Sequence, residues 1–232
     1  AKIIHLDIDP SEIDKNVKAT VGVWGDCKET LPLLTLGIEQ KDRSEWLAVF
    51  AEYAQQEYDQ CIQPEMYPSS DEMSMAEVIR NINEITKGNA IMVTDVGQHQ
   101  MVTCRYAKFN DSRSNITSGG LGTMGFGLPA AIGAKFGAQD RTVIGIIGDG
   151  GFQMTLQELG TIMQTGVDVK IFILNNQFLG MVRQWQDLFN EKRYSFVDIQ
   201  SPDYITLAKS YGIEGCKVED RKNLVAAVQN ML

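Results

Sequence analysis

The fold is decided by residues 142–185, TVIGIIGDGGFQMTLQELGTIMQTGVDVKIFILNNQFLGMVRQW. One apolar run in it stops at a GDGG sequence (148–151), and a second stops at a pair of asparagines (175–176). Apolar residues at spacings of three and four between the two runs predict a helix. A strand, a helix and a strand of this size form a right-handed crossover with parallel strands. We therefore expect both polar sequences at the same edge of a sheet.

Asp149 and Asn176 end the two predicted strands and should become neighbours in space. Oxygen ligands without histidine or cysteine favour Mg²⁺ or Ca²⁺ over Zn²⁺, and Mg²⁺ often completes its coordination with substrate phosphates. Gly150 and Gly151 allow close approach of the backbone, and the next helix begins with free N–H groups that suit an anion. Each motif alone could be a simple turn. The pair at matched strand ends favours a phosphorylated ligand held through a metal.

The GDG sequence, 24 residues and then NN resemble the motif of enzymes that use thiamin diphosphate. Residues 176–186 (NQFLGMVRQWQ) further resemble the catalytic subunit of acetohydroxyacid synthase, also called acetolactate synthase. Residues 97–101 (GQHQM) and 118–129 (SGGLGTMGFGLP) are similar to cofactor loops of that family. The resemblance extends over nearly all of the chain.

This resemblance implies a set of site residues. The Mg²⁺ ligands would be Asp149, Asn176 and the carbonyl of Phe178. The carbonyl of Gly122 would accept from the aminopyrimidine, Met124 would support the bent cofactor, and Gln98 and His99 would donate to the diphosphate. Plain core packing of Met124 and a structural role for His99 remain open alternatives. The implied contacts of thiamin diphosphate are Val96, Gly97, Gln98, His99, Gly122, Met124, Gly148, Gly150, Gly151, Asn176, Gly180 and Met181.

The resemblance also implies a reaction. Pyruvate would lose CO₂ on the cofactor, and the remaining two-carbon unit would join a second 2-oxoacid, pyruvate or 2-oxobutyrate, in branched-chain amino-acid biosynthesis. Met181 and Trp185 share a helix face that would line the acceptor channel, with Trp185 setting acceptor preference, although such a stripe is usually core. The activating glutamate would come from an amino-terminal domain of a neighbouring subunit. We therefore expect no acetolactate production by residues 1–232 alone, and measurable production would contradict this.

The first residues are predicted to form a short strand-helix unit with strands near 2–8 and 21–24. A sheet of two short strands is too small to bury its own faces. In the resembled family this is the end of a middle domain beside FAD, and Asp7, Ile8 and Asp26 would be adenosine-side contacts. The alternative is an ordinary turn at the end of a strand. With so little of that domain, we do not expect residues 1–232 to bind FAD.

We divide the chain into the tail of that middle domain (1–40), a helix and linker (41–71) and a thiamin-diphosphate domain (72–232). Alternating strands and helices predict an α/β fold with a doubly wound, mostly parallel sheet. The missing initiator methionine suggests part of a longer protein. The resemblance implies a homodimer or tetramer with its site at the subunit interface, and a small regulatory subunit.

Residues 120–125 (GLGTMG) also match the dinucleotide fingerprint, with Asp149 as its acidic residue. An NAD- or FAD-binding oxidoreductase is therefore the main alternative, although it leaves the asparagine pair unexplained. Another thiamin-diphosphate decarboxylase or oxidase, and a non-catalytic cofactor-binding module, are the remaining ones.

Composition bounds the function further. A net charge of −9 without a basic cluster argues against nucleic acid or an anionic membrane as partner. No apolar run approaches the roughly 20 residues of a membrane helix. The four cysteines show no CxxC spacing, which indicates a reducing compartment, and we expect a cytoplasmic protein.

Overall fold

The computed structural model describes residues 1–232, which form two compact units, Ala1–Gln55 and Gln56–Leu232. The division falls inside the range 41–71 that the sequence assigns to a helix and linker. The domain limits inferred from the sequence stay a prediction. No helix is long and apolar enough to span a bilayer.

The first unit is built on two short parallel strands, β1 (Ile4–Asp7) and β2 (Val21–Trp24), paired from Ile4 with Val21. Helix α1 (Cys27–Leu36) follows, and α2 (Ser44–Glu57) runs into the second unit. Asp26 caps α1 by accepting from the backbone N–H of Lys28 at 2.8 Å.

The second unit is an α/β structure with a parallel sheet, which confirms the predicted fold class. Its four strands are β3 (Ile91–Thr94), β4 (Asn115–Thr117), β5 (Val143–Gly148) and β6 (Lys170–Leu174), in the order β4-β3-β5-β6. After α2 the helices are α3 (Gln63–Met66), α4 (Met75–Thr86), α5 (Gln98–Tyr106), α6 (Gly127–Gly137), α7 (Asp149–Thr155), α8 (Leu159–Thr165), α9 (Gly180–Phe189), α10 (Tyr204–Ser210) and α11 (Leu224–Met231).

The core lies on both faces of this sheet because β5 is buried along its whole length. Ile144 and Ile146 pack with residues of α4, α5 and α11 on one face. Ile147 packs with residues of α6, α7 and α8 on the other. A continuous apolar strand is what a central parallel strand covered on both faces requires.

The chain order creates a switch point between β3 and β5. From β3 the chain continues to β4 on one side of the sheet, whereas from β5 it continues to β6 on the other. The loops after β3 and β5 therefore diverge and leave a crevice at the carboxyl edge, which is where open α/β sheets bind ligands.

Candidate functional site: a cavity at the carboxyl ends of three strands

One cavity opens at the carboxyl ends of β3, β5 and β6, and the predicted cofactor residues concentrate there. The site residues implied by the sequence that line it are Val96, Gly97, Gln98, His99, Met124, Gly148, Asp149, Gly150, Gly151, Asn176, Phe178, Gly180 and Met181. Met75, Leu174, Leu179 and Val182 complete the lining. Gly122 and Trp185 lie outside it.

Asp149 joins the ends of β5 and β6. One carboxylate oxygen accepts from the N–H of Gly150 at 3.0 Å, and the other accepts from the N–H of Gln177 at 2.7 Å. Gln177 has a left-handed backbone with φ 62°, a conformation that costs energy for a residue other than glycine. The turn after β6 is thus held in a strained form directly beside the carboxylate.

The surroundings of Asp149 suit a cation. Its side chain is buried, and burial raises the pKa of its carboxyl above the ordinary value, although hydrogen bonds from Gln177, Gly150 and Ser201 oppose that rise. A bound divalent ion would stabilise the ionised form that burial disfavours. Asn176 and Phe178, on the adjoining turn, line the same cavity, and the amide oxygen of Asn176 accepts from the N–H of Phe178 at 3.1 Å. This donor set fits Mg²⁺.

The cavity also suits an anion, because helix amino-termini open onto it. Helix α5 begins after Gly97 and α9 after Leu179, and neither end has a side chain capping its free N–H groups. The first residues of both helices line the cavity. Uncapped N–H groups and the helix dipole favour a phosphate oxygen there.

His99 lines the cavity, and its ring is held by hydrogen bonds within the protein. Its Nε2 accepts from the N–H of Gly148 at 3.2 Å, and its imidazole also hydrogen-bonds to the backbone of Asp95. Burial lowers the pKa of His99 to about 4, so the ring is neutral at neutral pH. Donation from this imidazole to a diphosphate stays a prediction.

The loop over residues 118–127, which we call the glycine-rich loop, brings Met124 into the cavity. A Cβ built on Gly150 would lie 3.6 Å from the terminal methyl carbon of Met124. Gly122 in the same loop is exposed and has φ 62°. Met124 therefore lines the cavity and Gly122 does not, and the contact of Gly122 with the aminopyrimidine stays a prediction.

Met181 and Trp185 differ in position although they lie on the same helix, α9. Met181 lines the cavity, whereas Trp185 is 59% exposed and its ring lies 4.8 Å from that of Phe189. Gln184, between them in sequence, accepts from the side-chain amide of Gln98 at 3.0 Å. This bond joins α9 to the first residue of α5.

Some residues that shape the site were missed by the sequence reasoning. Tyr204 donates to the carbonyl of Asp149 at 3.2 Å, and the hydroxyl of Ser201 lies 3.3 Å from its carboxylate. Asp95, at the end of β3, is fully buried and accepts backbone N–H groups from the glycine-rich loop. The only sequence feature that could have indicated a role for Asp95 is its position directly after an apolar strand. No sequence feature indicated a role for Ser201 or Tyr204.

The residues implied for FAD lie in the first unit, at the carboxyl ends of β1 and β2. Asp7 accepts from the N–H of Asp9 at 2.8 Å, while Asp26 caps α1. Ile8 is exposed, and its carbonyl accepts from the indole of Trp24 at 3.0 Å. Both carboxylates therefore already order local turns, and a contact with FAD stays a prediction.

The family follows from comparison with known proteins. Residues 95–232 match the family described as thiamine pyrophosphate enzyme, C-terminal TPP binding domain, TPP being thiamin diphosphate. This match begins at Asp95 and contains all of the cavity lining except Met75. The chain belongs to this family of thiamine pyrophosphate enzymes.

Within that family the chain is homologous to acetolactate synthase large subunits. It is 42% identical to the one from Lactococcus lactis over 97% of the chain, and 41% identical to the one from Cyanidium caldarium over all of it. Isozyme 3 of Escherichia coli is 38% identical, also over all of the chain. The chain spans 38%, 40% and 41% of the lengths of these relatives, respectively.

Proposed function

We propose that this chain forms the Mg²⁺ and thiamin-diphosphate site of an acetolactate synthase large subunit. The observation that carries the proposal is the bond from Gln177 to Asp149. It holds the two oxygen-bearing turns together in one cavity. The uncapped amino-termini of α5 and α9 open onto the same space. Metal ligands and anion donors thus stand side by side, as a metal-bound diphosphate requires.

Different residues of the chain would hold the metal, the diphosphate and the rings of the cofactor. Asp149, Asn176 and the carbonyl of Phe178 would hold Mg²⁺, and N–H groups at the starts of α5 and α9 would hold the diphosphate. Met124 would pack beneath the rings, and the carbonyl of Gly122 would accept from the aminopyrimidine. When bound, thiamin diphosphate supplies the electron sink that lets a 2-oxoacid lose CO₂. The activating glutamate would come from another subunit.

Calorimetry tests this proposal directly. Thiamin diphosphate should bind residues 1–232 with Mg²⁺ and only weakly without it, because the metal neutralises the diphosphate. Asp149→Ala should weaken binding at least about 100-fold, since losing the one charged ligand leaves the metal poorly held. Asp198→Ala is a matched control, because Asp198 bridges to Phe178 through its backbone and lies outside the cavity lining. Metal-independent binding, or equal binding by the Asp149→Ala variant, would contradict the proposal.

A dinucleotide oxidoreductase is less compatible with the sheet order. The glycine-rich loop does follow a strand, β4, but the next strand, β5, is separated from β4 by β3. In the dinucleotide fold the strands on either side of the glycine fingerprint are neighbours. If calorimetry showed that NAD or NADP binds without metal, the result would support a dinucleotide oxidoreductase instead.

The finer assignment concerns the whole enzyme. We propose that pyruvate and 2-oxobutyrate are its substrates, and that Trp185 selects between them as acceptors. Trp185→Leu in the full-length enzyme should change the ratio of acetolactate to acetohydroxybutyrate. Because Trp185 is exposed and lies outside the cavity, this variant should leave the affinity for thiamin diphosphate unchanged. An unchanged product ratio would refute the role. A pyruvate decarboxylase or oxidase would release acetaldehyde or acetate instead, and a non-catalytic module would release neither product.

FAD binding, a cytoplasmic location and a small regulatory subunit belong to the same proposal. The relatives are named large subunits, which supports a smaller partner. Co-purification of the full-length protein with a smaller chain and bound flavin would support the regulatory subunit and FAD binding. A flavin-free homomeric protein would contradict both, and cell fractionation tests the location.

A further inference from the structure

Asp95 stands where three parts of the site meet. Its backbone N–H still pairs with Ile146 of β5 at 3.0 Å, so its main chain belongs to the centre of the sheet. Its side chain is 0% exposed. One carboxylate oxygen accepts from the N–H of Val96 at 2.8 Å and of Gly125 at 3.1 Å, and the other accepts from Gly127 at 2.7 Å.

Two glycines leave room for this carboxylate. A Cβ on Gly151 would lie 2.3 Å from a carboxylate oxygen of Asp95, and one on Gly127 would lie 2.8 Å from its Cβ. The loop after β4 and the first turn of α7, which follows β5 directly, therefore both approach this side chain at the end of β3. A carboxylate can accept several N–H groups at once, which suits it to hold loops that converge from different strands.

The bonds to Gly125 and Gly127 lie just after Met124 in sequence. Earlier in the loop, the N–H of Thr123 donates to the side chain of Ser118 at 3.1 Å. The hydroxyl of Thr155 donates to the carbonyl of Gly125 at 3.0 Å. Asp95 thus supplies the link between the part of the loop that carries Met124 and the rigid centre of the sheet.

We propose that Asp95 is a positioning residue whose buried carboxylate fixes the glycine-rich loop and so places Met124 in the cavity. The part of this inference that concerns the cofactor rests on the proposed function. The part that concerns the loop rests on the bonds from Gly125 and Gly127 alone.

Asp95→Asn is the sharpest variant. The amide has nearly the same shape, but its NH₂ group would face an N–H of the loop and could not accept from it. In the ligand-free protein, amide hydrogen exchange at Gly125 or Gly127 should become at least about tenfold faster. Glu77→Gln is the matched control. Glu77 is also a buried carboxylate, but it pairs with Arg221 away from the cavity. It should leave exchange in the loop unchanged.

The link to Met124 is tested by a double-mutant cycle on the binding of Mg²⁺–thiamin diphosphate. Asp95→Asn should weaken binding about tenfold in the wild-type background and much less when Met124 is already alanine. Gly127→Ala displaces the loop while keeping the carboxylate, so it should reproduce the faster exchange at Gly125 and serves where Asp95→Asn does not fold. Unchanged exchange in the folded variants, or additive losses in the cycle, would overturn the inference. Absence of binding by the wild-type protein would instead overturn the proposed function. The exchange experiment would still test whether Asp95 fixes the glycine-rich loop.

Discussion

At the scale of single residues, His99 shows how burial changes what a side chain can do. Its ring lies against two glycines, since a Cβ on Gly97 or Gly148 would come within 2.8 Å of its Cε1. Held between them, the imidazole accepts a backbone N–H that would otherwise be unpaired at the end of β5. It therefore supports the shape of the cavity as a neutral group. A charged imidazole would lose this acceptor.

The lowered pKa of His99 predicts a pH dependence of stability. Its pKa falls from 6.5 to about 4 on folding, so between those values the unfolded chain binds more protons than the folded one. Stability should accordingly be fully present above about pH 6.5 and decline as the pH falls toward 4, by up to about 3 kcal/mol. Urea unfolding of the wild type and of His99→Gln across this range should show free energies of unfolding that diverge as the pH rises. Parallel curves would refute this role of His99.

At the scale of elements, the end of β5 and the start of α5 are packed without spare room. Gly148 has φ −80°, which any residue adopts, so alanine there would bring only a clash, with a Cβ 2.8 Å from His99. Gly148→Ala should lower the free energy of unfolding by about 1–3 kcal/mol. Thermal unfolding measures this.

Two companion variants separate the clash from other effects of alanine. A Cβ on Gly133, inside α6, would meet nothing within 4 Å, so Gly133→Ala should stabilise the protein by about 0.5–1 kcal/mol. Adding His99→Ala to Gly148→Ala removes the clashing ring, so the combined loss should be smaller than the sum of the two. Strictly additive losses would show that the ring is not what Gly148 accommodates.

The sequence predicted those elements whose signals are local. The crossover from β5 to β6 follows from two apolar runs, and α4 begins where Ser74 accepts from the N–H of Glu77, as expected of a capping residue. The alternation of strands and helices in the sequence also predicts a last strand at residues 215–218 (GCKV), but the structure has no strand there. Residues 215–217 are exposed, and only Val218 packs against the core.

The part of the site that the sequence could not reveal depends on long-range contacts. Asp149 and Asn176 were predictable as neighbours because one crossover fixes where both strands end. Asp95 was not assigned a role, because its partners Gly125 and Gly127 lie 30 and 32 positions away in a loop. No fixed spacing relates a strand end to a point within such a loop. The same reason hid Ser201 and Tyr204.

At the scale of the whole molecule, the cavity and the core clusters lie within the second unit, Gln56–Leu232. Residues 56–232 should fold alone and bind Mg²⁺–thiamin diphosphate as tightly as residues 1–232. Residues 72–232, the domain inferred from the sequence, should be less stable by about 2–4 kcal/mol, because they lack Ile62 and Met66 of the core and the acceptor of the Tyr106 hydroxyl, Glu65. Urea unfolding and calorimetry of the three proteins decide this. Equal stability of the two truncated forms would show that residues 56–71 are only a linker, whereas loss of binding by residues 56–232 would show that the first unit contributes to the site.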